Sequence, residues 1–400
     1  MNLSIKKKLT ALLLFPLLFV LFLVFAELKT LYINYFQASK ISKLVYIIKN
    51  TSNLVHETQI ERGMSSGFLG SNGTLYRDEL KSQRKKSDEA FLIFKSSLDS
   101  LVLENYSADL KASSEKVINI FNNLSSVRSM VDSFALTSPE TVGFYDKMND
   151  ETLKLIEPIS FLAPNNEIFN SIKAYLLFLF SKERTGIERA TLNNAFSSNK
   201  FNPGMFLIFS SLMTEQELFM KEFVFYSSKE NVDYVNNKLE GNAIVEVNRM
   251  RKIAIDNYDI GNFNINPKYW FSTITEKINI MKEIEDYLLL DLIQKVESHK
   301  KNSIQVFIIE SVIFLIVTIL TLTLGLIVVS GITKSVQEVS DESHYLSSGD
   351  LTVVLDTSNN DELGKMNEKL NIFIFNLKEM INQIPHCIIK CNQAKNKNAS

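Results

Sequence analysis

The chain has 400 residues, with 43 Lys and Arg against 45 Asp and Glu, and 46% of its residues are hydrophobic. This near-neutral balance argues against a nucleic-acid partner, because proteins that bind nucleic acids usually carry a clustered basic excess. The low number of helix-breaking residues, 13 Gly and 7 Pro, predicts a mostly helical protein. Both cysteines, Cys387 and Cys391, lie close to the C-terminus. The rest of the chain can therefore contain neither a disulfide nor a thiolate metal site.

Two apolar stretches predict helices that cross a membrane. Residues 9–26 read LTALLLFPLLFVLFLVFA, and residues 304–330 form a longer stretch that only Glu310 interrupts. A spanning helix needs roughly 20 apolar residues. The alternatives are a signal peptide for the first stretch and a buried core helix for the second. We favour two spans, at 9–28 and 304–330, because the first stretch is longer than a signal-sequence core and no clean cleavage site follows it.

The lysines that flank these spans predict the orientation of the chain. Lys6, Lys7 and Lys8 precede the first span and favour a cytoplasmic N-terminus over residues 1–8. Residues 29–303 then lie outside the cytoplasm, and the chain returns to the inside after residue 330. Lys300 and Lys301 lie on the outer flank and oppose this assignment, which we keep because the N-terminal cluster usually dominates.

The region between the spans has the pattern of consecutive helices. Apolar residues recur at intervals of three and four, as in Ile284, Leu288 and Leu292. Turn-forming residues separate the segments at SNG 71–73, APNN 163–166, NKFNPG 199–204 and NFNINP 262–267, and Ser138 is expected to cap a helix that begins at TSPE 137–140. The pattern indicates about eight helices, enough for two four-helix bundles.

Four cations in this region lie on helical stripes that are otherwise largely apolar, namely Arg62, Arg128, Arg189 and Lys277. A buried charge without a partner is costly, so each needs compensation. One interpretation is an internal ion pair with Glu61, Glu183 or Glu188, in which case Arg62→Met would be tolerated. The other is that Arg62 and Arg189, both set beside small residues in ERGMSSG 61–67 and ERTGIER 183–189, hold a small planar oxyanion, which suits the guanidinium fork.

The same segments resemble a known family. ETQIERGMSSGFLGSNG at 57–73, RSMVDSFALTSPETVGFYDKM at 128–148, KERTGIERATL at 182–192 and WFSTITEKINIMKEIE at 270–285 are similar, in order, to the signatures of the NIT domain, the nitrate- and nitrite-sensing module. The resemblance implies an all-helical fold of two four-helix bundles that holds nitrate or nitrite through arginines from separate helices. Arg62 and Arg189 are the best matches to these ligands, and Arg128 is a weaker match. Lys277 stands where the family often has an arginine.

The segment after the second span predicts a dimerising helix pair. Residues 332–346 and 361–384 carry apolar residues at coiled-coil spacing, and a connector over 349–360 joins them. The connector GDL at 349–351 and DELG at 361–364 resemble the signature of a HAMP domain, which we place at 331–384. This resemblance implies a homodimer, with signalling roles for Gly349, Asp361, Glu362 and Gly364. The proline that often follows the membrane exit is missing, and a plain coiled coil is the alternative.

Residues 385–400 read as a short polar tail without an output module. Cys387 and Cys391, at i and i+4, are expected to be unoccupied thiols rather than metal ligands. Together these patterns predict an all-α, two-pass receptor of the bacterial inner membrane, related to methyl-accepting chemotaxis receptors. It is expected to need no cofactor and to perform no catalysis, and its output partner is unknown. The alternatives are a sensor of another small anion or molecule, or a structural membrane-anchored dimer without a ligand.

Overall fold

The computed structural model describes residues 4–397, and the side chains of residues 4–385 and 387–389. Within this part of the chain every regular element is a helix, which confirms the predicted all-α class. The α-helices are α1 (Ile5–Gly70), α2 (Arg77–Asp99), α3 (Ala108–Asn122), α4 (Leu124–Asp132), α5 (Ser138–Lys154), α6 (Ile156–Ser160), α7 (Asn166–Ser197), α8 (Met205–Tyr226), α9 (Lys229–Lys238), α10 (Asn242–Asp256), α11 (Pro267–Ser347) and α12 (Glu362–Lys397).

The chain divides into two compact units. One is Leu31–Phe307, and the other combines the described parts of Met1–Thr30 and Ile308–Ser400. Between residues 31 and 307, all of which the structure describes, α2 to α10 lie whole, together with parts of α1 and α11. This is more than the eight helices expected, because the chain breaks again near residues 123 and 155. The grouping into two four-helix bundles stays a prediction.

The breaks between helices follow local signals in the sequence. Thr137, rather than Ser138, caps α5: its side chain accepts from the backbone N–H of Glu140, and the Glu140 side chain accepts from the backbone N–H of Thr137. This reciprocal arrangement is a capping box. Gly73 and Gly204 have φ of 79° in two of the predicted turns, a conformation that favours glycine.

Polar residues interrupt the apolar core of Leu31–Phe307. The largest cluster contains Leu44 and Val55 of α1, and a second cluster surrounds Trp270 and Phe196. On α1 and α7, buried polar side chains lie between the apolar positions, namely Thr58, Gln59, Glu61, Arg62, Ser65, Ser181, Lys182, Glu183, Thr185 and Glu188. Because buried polar groups need partners, this layer is the first place to look for a site.

The two apolar stretches lie within the longest helices, α1 with 66 residues and α11 with 81 residues. Both are long and apolar enough to cross a membrane. They contact each other where Gly325 faces Leu13, since a Cβ atom at Gly325 would lie 2.6 Å from Leu13 Cδ1. Pro16 lies inside α1 rather than ending it. The domain boundaries predicted at 28, 303 and 330 therefore fall within continuous helices.

After the second apolar stretch, α11 ends at Ser347 and α12 begins at Glu362. This helix, connector and helix layout agrees with the expected order of elements. The second helix continues through Pro385 to Lys397, so residue 384 is not a helix end. Cys387 is an exposed free thiol, whereas the side chain of Cys391 lies outside the described residues, so the expectation for this pair is untested.

Candidate functional site

Arg62 lies on α1 with only 3% of its surface exposed. Its Nη1 donates to Asp146 Oδ1 at 2.5 Å and also to Glu183 Oε1, while its Nη2 lies 3.5 Å from Glu183 Oε2. Burial alone lowers the pKa of Arg62, but the two carboxylates outweigh burial and raise it. Arg62 is therefore a charged group with one nitrogen firmly paired and one nitrogen weakly engaged.

The carboxylate of Glu183 on α7 joins three helices. Gln59 of α1 donates to its Oε2, and Asn149 of α5 donates to its Oε1 at 3.4 Å. Asn149 in turn accepts from the hydroxyl of Thr58 at 2.7 Å. Glu183 is fully buried, and these donors together with Arg62 stabilise its negative charge.

Arg189 lies on the same helix as Glu183 but has different surroundings. Its Nη1 donates to Thr275 Oγ1 at 3.1 Å, and its guanidinium carbon lies 4.9 Å from the centre of the Phe271 ring. No carboxylate pairs with it among the residues that the structure describes. Burial, and next the charge of Arg62, lower its pKa to about 10. Arg189 is thus a cation that a bound anion would stabilise.

Glycines allow the two guanidinium groups to approach each other's helix. A Cβ atom at Gly186 of α7 would lie 2.8 Å from Nη2 of Arg62, closer than such contacts occur, and one at Gly63 of α1 would lie 3.4 Å from Nη2 of Arg189. Glycine inside a helix costs roughly 0.5–1 kcal/mol relative to alanine, so this clearance has a purpose. It brings two cations together, one of them unpaired, where a planar oxyanion can accept from both.

Arg128, the weaker candidate, faces a different group of residues. Its Nε and Nη2 donate to Glu61 at 2.7 and 2.9 Å, and its Nη1 donates to Asp88 at 2.6 Å. The hydroxyl of Tyr145 also donates to Glu61, at 2.6 Å. These bidentate contacts are those of an internal ion pair, and they do not include Arg62 or Arg189.

Lys277, the fourth candidate, is 8% exposed and lies near Glu188 and Arg251. Glu188 already accepts from Arg251 and from Gln216. Within the described part of the chain, Lys277 itself has neither a hydrogen bond nor an ion pair. Burial first, and then the charge of Arg251, lower its pKa from 10.5 to about 7. The structure therefore separates Lys277 from the Arg62 and Arg189 pair.

Comparison with known protein families matches residues 53–293 to NIT, described as nitrate and nitrite sensing. This match covers more than half of the chain and includes all four candidate cations. The chain belongs to the NIT family. The resemblance that its four motifs carry is thereby confirmed, and nitrate and nitrite sensing is the function that the family indicates.

The chain is also similar to two known proteins. A nitrate regulatory protein of Klebsiella oxytoca is 21% identical over 247 residues, which are 62% of this chain and 62% of that protein. The chain thus spans less than two thirds of that relative's length. The solved structure of the NasR transcription antiterminator covers 92% of this chain and 98% of its own, with a TM-score of 0.63 and 18% identity. At that identity the likeness shows a shared fold alone.

Three residues of the candidate site were not predicted from the sequence. Asp146 lies in the second motif, but nothing in the sequence identified it as the partner of Arg62. Thr275 and Phe271 lie in the fourth motif and contact Arg189. The i, i+4 spacing of Phe271 and Thr275 on one helix face was the signal that could have found them.

The proposed signalling residues lie outside the NIT match, and three of them, Asp361, Glu362 and Gly364, lie at the start of α12. Asp361 Oδ1 accepts from the backbone N–H of Leu363 at 3.1 Å and of Gly364 at 2.9 Å, which caps the helix. A Cβ atom at Gly364 would lie 1.7 Å from the carbonyl oxygen of Asn359, so only glycine fits there. Gly349, with φ of 92°, follows the end of α11, and Glu362 is the first residue of α12.

Replacing Lys277 by Met is expected to stabilise the protein, and the gain should depend on pH. The folded-state pKa of about 7 lies below the ordinary 10.5. The cost of burying the charge is therefore full below pH 7 and disappears as pH rises towards 10.5. At 1.36 kcal/mol per pKa unit the upper bound is about 5 kcal/mol, and we expect about 1–3 kcal/mol at pH 6. Chemical denaturation between pH 6 and 10 measures the gain.

The control for this prediction is Lys182→Met. Lys182 is also buried, but it pairs with the buried Glu285. Its removal takes away one of the two cations that neutralise this carboxylate, the other being Lys282, and should destabilise the protein. Equal effects of the two substitutions, or a Lys277→Met gain that is the same at pH 6 and pH 10, would contradict the prediction.

Proposed function

We propose that this protein is a two-pass transmembrane receptor that senses nitrate or nitrite at Arg189 and Arg62. Its NIT family supports the ligand, and the two membrane-length helices support the placement. The observation that carries the site is that Arg189 pairs with no carboxylate among the residues that the structure describes, while the buried Arg62 lies beside it. The interpretation as internal ion pairs accounts for Arg62 and Arg128, but it does not account for Arg189.

The anion would complete the hydrogen bonding of both arginines. Nη1 of Arg62 belongs to Asp146 and Glu183, whereas its Nη2 is only weakly held. Nitrate would accept from this Nη2 and from the guanidinium of Arg189, with the Thr275 hydroxyl at hand. It would offset burial and the charge of Arg62, which together lower the pKa of Arg189. The surrounding groups bind an anion without transforming it, so we propose no catalytic step.

Signal transmission would begin with the three helices that meet at the ligand. Arg62 belongs to α1, Arg189 to α7 and Thr275 to α11, and α1 and α11 also contain the two apolar stretches. An anion that draws α7 towards α1 and α11 would favour one arrangement of these helices. The ligand must bind that arrangement more tightly than the other for a signal to pass.

We further propose that residues 29–303 face the outside of the bacterial inner membrane and that residues 331–384 form a HAMP domain that pairs two chains. The capped start of α12 at Asp361 and the glycine-only position at Gly364 support this domain. Output would follow the chemotaxis type of signalling, through a partner that is still to be identified. The two relatives are named as regulators, which agrees with a role in control.

Fluorescence of the single tryptophan tests this function directly. Trp270 is fully buried, and its Nε1 donates to the carbonyl oxygen of Arg189 at 3.1 Å. Titration of the purified chain with nitrate or nitrite should change its emission in a saturable way, whereas chloride and sulfate should not. A saturable response to another anion alone would favour a sensor for that anion. Lack of any response would count against the proposed ligand.

Asp146→Asn is expected to strengthen nitrate binding at neutral pH by about fivefold or more. Asp146 competes with the anion for Arg62, and burial, together with the charge of Glu183, raises its pKa despite the opposing charges of Arg62 and Arg184. Anion binding raises that pKa further, so binding takes up a proton and the wild-type affinity increases as pH falls towards it. Titrations between pH 5 and 8 measure both effects.

The matched control is Asp150→Asn, one helical turn further along α5. Asp150 pairs with Arg184 and Lys154 rather than with Arg62, so its removal should leave the nitrate affinity unchanged. If Asp146→Asn binds nitrate no better than the wild type and keeps its pH dependence, Asp146 does not compete with the ligand.

A structural membrane-anchored dimer remains the second candidate, because Arg62 and Arg128 have the acid partners that it requires. This candidate predicts that no anion stabilises the protein. Titration with nitrate and nitrite therefore distinguishes the two functions.

A further inference from the structure

Tyr76 has a backbone conformation that a bulky residue rarely adopts. It precedes α2 with φ of 64° and ψ of 14°, in the left-handed region. Such a conformation costs of order 1–3 kcal/mol and persists only where the surroundings hold the residue in place. The preceding turn does so, since Gly73 N donates to Phe68 O at 2.8 Å and Leu75 N donates to Ser71 Oγ at 2.9 Å.

The strained turn places the Tyr76 ring directly on the backbone of α1. A Cβ atom at Gly67 would lie 2.6 Å from Cε2 and 2.7 Å from Cδ2 of this ring. Any other residue at position 67 would displace the ring. Gly67 thus leaves room on the surface of α1 for the aromatic ring of Tyr76.

The ring lies next to the proposed anion site. Gly67 follows Gly63 by four residues, so the two share one face of α1 and are separated by about 6 Å along the helix. The Arg189 guanidinium lies over Gly63, and the Tyr76 ring lies over Gly67. Electrostatic interaction between Tyr76 and Arg189 agrees with this closeness. The two side chains therefore occupy successive turns of the same helix face.

The hydroxyl of Tyr76 is not used by the protein. Over the residues whose side chains the structure describes, it has no hydrogen-bond partner, and the residue is 38% exposed. A phenol hydroxyl is a good donor to an oxyanion. With the ring one turn of α1 from the Arg189 guanidinium, this hydroxyl is available to an anion that Arg189 holds.

We propose that Tyr76 is a further ligand-binding residue, whose hydroxyl donates to the oxyanion held by Arg189 and whose ring covers the anion from the solvent side. This inference rests on the proposed function and adds the turn before α2 to the segments that meet at the ligand. It also explains why position 67 is glycine and why the turn at Tyr76 is strained, because both are needed to place the ring against α1.

The test compares variants of the full-length chain in detergent, with nitrate as the probe and Trp270 fluorescence as the readout. Tyr76→Phe removes only the hydroxyl and should weaken nitrate binding about tenfold. Tyr76→Ala and Gly67→Ala should weaken it further and speed nitrate dissociation, because both remove the ring from its place. Tyr46→Phe is the control. Tyr46 is exposed on α1, several helical turns before Gly63, where the Arg189 guanidinium lies.

The outcomes separate this inference from the function on which it rests. If the wild type binds nitrate and Tyr76→Phe binds it equally well, Tyr76 is not a ligand, while the receptor function stands. If the wild type itself does not bind nitrate, both fall. Tyr76→Phe decides the result even if Tyr76→Ala fails to fold, because it keeps the ring against Gly67.

Discussion

Replacing Arg62 by Met is expected to lower the free energy of unfolding by about 3–5 kcal/mol. Arg62 neutralises Glu183, which is fully buried, and also pairs with Asp146. Its removal leaves the Glu183 carboxylate without a counter-charge, and the remaining donors, Gln59 and Asn149, are neutral. Chemical denaturation of the purified chain, with and without the substitution, measures the loss.

This expectation differs from the one made for a simple internal ion pair, in which Arg62→Met would be tolerated. Tolerance applies when both partners of a buried pair become apolar together, not when one charge is left alone. The double replacement Arg62→Met with Glu183→Gln should therefore recover part of the lost stability. Arg249→Met, which breaks the exposed pair with Glu246, is the control and should cost at most about 1 kcal/mol. A loss below that level for Arg62→Met would contradict the described network.

Replacing Arg189 by Ala is expected to abolish stabilisation by nitrate while changing the stability of the free protein by less than about 1 kcal/mol. Arg189 has a single side-chain hydrogen bond, to Thr275, and its charge is disfavoured by burial and by Arg62. In the wild type, nitrate at 100 times the dissociation constant should add about 2.7 kcal/mol. Thermal unfolding with and without nitrate measures both quantities.

Arg184→Ala is the matched control on the same helix. Arg184 is also partly buried, but it pairs with Asp150 and Glu215 rather than facing Arg62. Nitrate should still stabilise this variant. An Arg189→Ala protein that responds to nitrate as the wild type does would exclude Arg189 from the site. An equal loss of response in both variants would point to a general structural effect.

Helical periodicity predicted much of the site before any packing was known. The stripe through Val55, Arg62 and Leu69 indicated that Arg62 faces inward, and it is 3% exposed. The small residues in ERGMSSG and ERTGIER indicated close approach, and Gly63 and Gly186 provide it. Both inferences depend on positions within one helix, where geometry is fixed by the 3.6-residue repeat.

The choice of partners could not be predicted, because it depends on how distant segments pack. The sequence offered Glu61, Glu183 and Glu188 as acids for four cations without saying which would meet. In the structure they pair with Arg128, Arg62 and Arg251 respectively. Over the described residues, Arg189 has no carboxylate partner. Lys277 lies two residues after Thr275 on α11, and that small offset turns it to a different neighbourhood.

The sequence also did not predict that an apolar stretch and an amphipathic stretch would form one continuous helix. An apolar stretch and a polar, amphipathic stretch differ in composition, so domain boundaries were expected at residues 28, 303 and 330. Both α1 and α11 continue through these positions, and Gly331, next to the last of them, does not end α11. Composition changes mark a change of surroundings, not a break in the helix.

Calorimetric titration of the purified full-length chain with nitrate and with nitrite tests whether Arg62 and Arg189 hold the anion. A four-atom anion gains at most about 1.5 kcal/mol per atom, or roughly 6 kcal/mol, which corresponds to a dissociation constant of order tens of micromolar. We expect one saturable site per chain, with a dissociation constant in or above that range, lost in Arg189→Ala and retained in Arg184→Ala. A folded protein that releases no heat and shows no thermal shift with either anion would contradict it.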